Sequence, residues 1–269
     1  MADADALRDA GRPITVPGDP GRSTPPVTPP APVPAAPGDE KVMTLVDHLS
    51  ELRDRIVRSV LAIAVGSVVG FWFWKDIRNI LIAPLPTGTV QVLGPGDAFV
   101  IALRISLVTG IILAMPVLLY QVWAFVSPGL TAAERRAVRP WIPLALFFFA
   151  LGVSIAYLVL PFAAGFLLSF TDEILVANLA AGPYFDFVTT MFLAFGLVLE
   201  FPIVLYGLSR VGVVTSQRLR DWRRFAVLAI AIFAASVTPG GDLVSPLVMG
   251  GTMYVLYEAT IFFVRRSGR

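Results

Sequence analysis

The chain has 269 residues, 56% hydrophobic and 15% charged, with a mean hydropathy of +0.76. A soluble domain carries about 25% charged residues to face water, so this composition is incompatible with a water-soluble globular enzyme and points to a polytopic membrane protein in a lipid bilayer. Cysteine is absent and His48 is the single histidine, so no disulfide, iron–sulfur cluster, thiol nucleophile or Cys/His metal site is expected, and a net charge of +2 offers no basic surface for nucleic acid.

In chain order, residues 1–41 come first. Ten of the 22 prolines lie between Pro13 and Pro37, among Gly, Ala, Thr and Asp. Such a stretch has little apolar side chain to bury and is expected to be a disordered or polyproline-like cytoplasmic tail. A dispensable tail and a partner-docking arm are both compatible with it. No basic segment followed by an apolar core opens the chain, so no signal peptide is expected. The membrane domain is expected over 42–265, followed by a short basic tail at 266–269.

Thr44-Leu45-Val46-Asp47 resembles a capping box with Asp in the Glu place, which starts a helix near Leu45. Leu45, Leu49, Leu52 and Ile56 form an apolar stripe, with His48, Glu51 and Arg55 on an adjoining face. Two readings stand. In one, this is an interfacial helix with Glu51–Arg55 as an i,i+4 pair contributing about 0.3–0.5 kcal/mol. In the other, Glu51 is an anionic binding group at the cytoplasmic membrane surface.

Six apolar segments follow, at 57–74, 98–125, 140–162, 185–208, 225–239 and 243–264. The second exceeds one span and is expected to tilt or project. The fifth spans only about 20 Å against a hydrocarbon core of about 30 Å. It ends at Thr238-Pro239-Gly240-Gly241, so the last two segments are expected to form a tight hairpin in locally thin membrane. Gly66-Ser-Val-Val-Gly70 is a GxxxG, a frequent and weak marker of helix pairing. Arg104, about two turns into the second segment, is expected to snorkel outward.

Orientation follows from the connectors. Fifteen Lys and Arg residues fall before the first segment, between the second and third, between the fourth and fifth, and at the C-terminus, from Lys41 to Arg269, against Lys75 and Arg78 on the opposite side. Both termini are therefore expected in the cytoplasm.

Three acids within this frame need explaining. In Ser127-Pro-Gly-Leu-Thr131-Ala-Ala-Glu134-Arg-Arg, Thr131 caps a short helix whose third residue is Glu134, and that carboxylate is either only a cap or also a binding group. Glu200 lies about 20 Å into its span, where an acid costs roughly 2.5–3.5 kcal/mol unless it pairs, is protonated or faces a cavity. Pro202 is expected to bend the same helix. Glu258, about 10 Å from the cytoplasmic end, is expected to reach water or a base. There is no P-loop, Gly-x-Ser-x-Gly or HExxH, so no catalysis and no cofactor is expected. No internal repeat is visible.

The ordered set His48-Leu-Ser-Glu51-Leu-Arg53, Ala83-Pro84-Leu85, Leu119-Tyr-Gln-Val-Trp-Ala-Phe125 running to Pro128 and Glu134-Arg-Arg136, Ala194-Phe-Gly196 with Glu200-Phe-Pro202, Thr238-Pro239 with Asp242, and Met253-Tyr254…Tyr257-Glu258 closely resembles the TatC family, the six-span subunit of the twin-arginine protein translocase. The resemblance implies an all-α, glove-like bundle of six transmembrane helices, the last two short, in the bacterial cytoplasmic membrane. It implies that Glu51 and Glu134, with Phe125 beside them, bind the arginine pair of signal peptides on folded cargo, chemistry a carboxylate performs bidentately with arginine and not with lysine. It further implies that Glu200 contacts TatA-like and TatB-like single-span subunits, that transport uses the proton motive force, and that the chain is a homo-oligomer within a larger complex. Pro84, Asp242 and Glu258 are functional or structural candidates. Gly240-Gly241 and Pro246 depart from the family, which often has Pro before the acid and Gln four residues after it. The rival readings are a proton-coupled small-solute transporter using Glu200 and a scaffold with no site of its own.

Overall fold

The computed structural model describes residues 45–85, 88–171, 179–210, 212, 214–238 and 242–266. The proline-rich segment, Thr44, Asp172, Glu173, Gly240, Gly241 and the tail beyond Arg266 lie outside the described residues, and with them the expectations placed there. The described residues form ten α-helices: α1 (Leu45–Trp72), α2 (Trp74–Ile82), α3 (Asp97–Val126), α4 (Ala132–Val138), α5 (Trp141–Leu168), α6 (Ala181–Val198), α7 (Phe201–Arg210), α8 (Ser216–Asp221), α9 (Arg223–Val237) and α10 (Val244–Arg266). Extended pairing among them is limited to one bridge, Gln91 with Ala180. Five stretches, those of α1, α3, α5, α6–α7 and α10, are long and apolar enough to cross a membrane. Large apolar side chains along them, such as Val60, Leu107, Phe147, Leu197 and Phe262, face outward, as lipid permits and water does not. The chain is a multi-pass membrane protein.

The expected segments match helices, with informative differences. α1 is one continuous rod of about 42 Å rather than an interfacial helix joined to a span. The end of the first apolar segment belongs to a separate amphipathic helix, α2, which carries Lys75, Asp76 and Arg78. α5 keeps Pro161 inside and runs on to Leu168, because the residues after the proline remain apolar. The bend expected near Pro202 is a break at Leu199–Glu200, where Glu200 N bonds to Leu197 O at 3.1 Å in a tightened turn. α9, at 15 residues, is about 22 Å long and is the short helix of the last pair. α10 has 23 residues and reaches about 34 Å, so the shortness that the resemblance implied for the sixth helix is confined to α9.

α6 forms the centre, where Phe149, Leu160, Phe185, Met191, Phe195, Leu199 and Met249 are fully buried. Two crossings bring backbones together. α1 lies antiparallel along α3, and a Cβ on Gly66 would stand 2.7 Å from the Gly110 carbonyl oxygen. Gly70 meets Ser106 in the same way, at 2.8 Å from its carbonyl oxygen. The GxxxG pair is thus used up inside the chain. α5 and α6 cross at Gly152 and Gly196, and a Cβ on Gly196 would meet the Phe149 ring at 2.6 Å.

Long-range bonds pin both ends. Tyr184 Oη donates to Leu81 O at 2.7 Å, tying α6 to α2. At the other end, which holds the start of α1, Tyr257 Oη donates to Leu219 O at 2.7 Å, tying α10 to α8. There too the rings of Trp141 and Tyr206 stack at 3.9 Å.

Candidate functional site

The start of α1 and the end of α3 meet through two contacts. His48 and Phe125 stack with ring centroids 4.4 Å apart and planes 17° apart. Two turns further along α1, Arg55 Nη1 donates to Oε1 of Gln121 at 3.3 Å. Gln121 is buried, so this bond fixes the guanidinium from the α3 side. Arg55 also pairs with Glu51: its Nε donates to Glu51 Oε1 at 3.0 Å, and Nη2 contacts the same oxygen. Both side chains are only 18% exposed. The i,i+4 pair is therefore present, but it is more sheltered than an exposed helix pair such as Arg53–Asp54 nearby. Glu51 Oε2 is buried without a hydrogen-bond partner among the described residues. A carboxylate with one oxygen doubly engaged and the other orphaned retains accepting capacity that nothing in its surroundings fills.

Glu134 is positioned by the sequence immediately before it. After α3 a single 3₁₀ turn, Ser127–Gly129, reverses the chain, with Pro128 supplying the fixed φ. Thr131 then caps α4: Glu134 N donates to Thr131 Oγ1 at 3.4 Å, while Thr131 N donates to Glu134 Oε2 at 3.0 Å. The capping box read from T-x-x-E is fully formed. Arg135 Nε donates to Ser127 O at 3.1 Å, folding α4 back on the turn. Phe125 and Glu51 are thus joined through the His48 stack and the Arg55–Gln121 bond, whereas Glu134 stands on the next element, which packs against α7.

Glu200 lies at the α6–α7 break, between two apolar hollows of about 460 and 430 Å³. Its Oε1 is buried and without a hydrogen-bond partner among the described residues, and so is Nε1 of Trp123 on the wall of the second hollow. Asp242 is buried and accepts from Ser245 N at 2.6 Å, which caps the start of α10; its Oδ2 is buried without a hydrogen-bond partner among the described residues. Glu258 reaches a base: Arg223 Nη2 donates to its Oε2 at 2.6 Å, linking α9 to α10. Pro84 sits in the turn after α2, beside the Leu85 N to Ile82 O bond of 2.9 Å.

Sequence reasoning passed over Asp186. Arg104, expected to snorkel outward, forms an ion pair with Asp186, joining α3 to α6. The available signal was an acid at the second residue of the 185–208 apolar run. Gln121 lay inside a matched motif without a role, and its buried amide supplies one. The described residues contain no group of three or more metal-ligating acids, His or Cys.

These features define a multi-pass helical membrane protein with a carboxylate–guanidinium–aromatic cluster at the end holding the start of α1 and a second acid between apolar hollows inside the bundle. The family described as TatC, Sec-independent protein translocase protein, matches residues 47–251, and the chain belongs to it. The chain is 36% identical to the Sec-independent protein translocase protein TatC of Carboxydothermus hydrogenoformans, over 84% of its own length and 95% of the relative's. It is 39% identical to that of Desulforapulum autotrophicum, over 86% and 87%, and 36% identical to the chloroplastic TATC protein of Arabidopsis thaliana, over 86% and 69%. A crystal structure of the twin arginine translocase receptor TatC superposes with a TM-score of 0.72 at 36% identity, covering 82% of this chain and all of that one.

Proposed function

We propose that this chain is the receptor subunit of a twin-arginine translocase, which binds the consecutive arginines of signal peptides at Glu51 and Glu134 with Phe125 alongside. Both termini then lie in the cytoplasm of a bacterium, and the chain sits in its cytoplasmic membrane, the side carrying fifteen bases facing inward. Glu200 contacts TatA-like and TatB-like single-span subunits inside the bundle, and the proton motive force supplies the work.

The observation that carries this reading is the Glu51 carboxylate, sheltered beside a His48–Phe125 aromatic wall with one oxygen unsatisfied. A planar guanidinium fits such a place twice over, by hydrogen bonding to the carboxylate and by stacking on the ring face.

The test is binding of a twin-arginine signal peptide and its twin-lysine version to the purified full-length protein. Each of Glu51→Gln and Glu134→Gln is expected to weaken the twin-arginine peptide by about 10-fold or more, the loss of one charge-assisted hydrogen bond. Binding that ignores both the arginines and both glutamates, in protein shown to be folded, overturns the reading.

A further inference from the structure

We infer that Arg55 is a specificity-determining residue, an internal guanidinium that occupies Glu51 in the empty receptor and makes the site yield to arginine in preference to lysine. This rests on the reading of Glu51 given above.

The geometry is particular. Arg55 places Nε and Nη2 on the same oxygen of Glu51, with Nε at 3.0 Å, instead of spreading one donor over each oxygen. Its remaining arm, Nη1, is held by Gln121 Oε1 at 3.3 Å. The pair is thereby anchored to α3 and is more than a pairing within one helix turn. The sheltered setting strengthens it, because field lines between the two groups pass through protein more than water. By contrast the neighbouring Arg53–Asp54 pair is 77% and 57% exposed and has no third partner among the described residues.

A cation arriving at Glu51 therefore meets a neutralised carboxylate, and has to match what Arg55 already provides. A second guanidinium offers the same two coplanar N–H donors and can take over the Nε and Nη2 contacts one for one, while also reaching the unsatisfied Oε2. Gln121 keeps hold of Arg55 through Nη1 as the other two arms let go. A lysine ammonium is a compact point charge without the planar fork, so it replaces the pair incompletely and leaves buried acceptor capacity unfilled. Competition with an internal arginine thus turns a general preference for cations into a preference for guanidinium.

The experiment measures affinities of twin-arginine and twin-lysine peptides for full-length wild type, Arg55→Gln and Arg55→Lys, each confirmed monodisperse with a wild-type unfolding profile. In Arg55→Gln the arginine-to-lysine affinity ratio is expected to fall by about 10-fold, chiefly because the lysine peptide gains. Arg55→Lys, which keeps the charge and loses the fork, is expected to move the ratio the same way by less, and decides the matter should Arg55→Gln not fold. An unchanged ratio, or equal weakening of both peptides as a purely structural role would give, overturns the inference. Glu51→Gln separates the two levels. Arginine preference that survives it removes Glu51 from the receptor reading; preference that vanishes with it while both Arg55 variants keep the wild-type ratio removes Arg55 alone.

Discussion

Protein carrying Gly152→Leu is expected to fail to accumulate as a folded, monodisperse species after solubilisation. At this position a Cβ would run into the Phe195 carbonyl oxygen and stand 2.8 Å from Gly196 Cα. Both obstacles are backbone in the last turn of α6, the helix around which the core is built. On the reverse side of the crossing Gly196 is itself pressed against the fully buried Phe149 ring. No flexible side chain is available to give way, so α5 and α6 would have to separate along the crossing. Inserting even small groups into a packed core costs about 1–3 kcal/mol, and a leucine forced between two helices costs several times that, against a total stability of about 5–15 kcal/mol. Gly251, exposed on α10 with nothing within 4 Å of an added Cβ, supplies the control. Fluorescence-detected size-exclusion chromatography of Gly152→Leu and Gly251→Leu side by side makes the test; equal monodisperse peaks would show that the crossing is not tight.

The second large effect is expected at Arg104 and Asp186. The pair links α3 to α6 about 10 Å in from the start of α3. A charge left alone at the centre of a bilayer costs roughly 2.5–3.5 kcal/mol on insertion scales and less toward the interface. Arg104→Asp places two acids in contact, and is expected to cost about 1–3 kcal/mol, with Asp186→Arg similar. The double exchange, Arg104→Asp with Asp186→Arg, is expected to recover at least half of the summed loss. Thermal unfolding in lipid nanodiscs reads all four proteins, and strict additivity of the two single losses would show that the groups do not interact.

Much of this fold is legible in the sequence because lipid is an undemanding but consistent solvent: a span must be long and apolar, and six runs qualify as segments. The T-x-x-E motif was equally readable, since a cap is made by residues three apart and is complete at Thr131 and Glu134. α2 and α8 were not readable. They are short, and the bonds that fix them in place, from Tyr184 to Leu81 and from Tyr257 to Leu219, reach across from other helices. The length of α10 was in its own 243–264 run, and the expectation of a short helix came only with the family resemblance.

The candidate site shows the same division. Glu51 and Arg55 announce each other by i,i+4 spacing, but Gln121 lies 66 residues away and nothing local to either residue signals their bond. Arg104 and Asp186 were hidden for the same reason, being partners on separate helices. A buried acid such as Glu200 is conspicuous by its cost, whereas the two hollows on either side of it depend on how α6, α7, α9 and α10 meet in one case and α3, α5 and α7 in the other.

The uninterrupted course of α1 has a mechanical meaning. Glu51 lies near one tip of the rod, and the tight Gly66–Gly110 crossing lies about 22 Å further along. Near the tip the rod is also fastened to α3, by the His48–Phe125 stack and the Arg55–Gln121 bond. α1 and α3 are thus clamped at two levels like the leaves of a splint, so a load applied at Glu51 is shared by both helices.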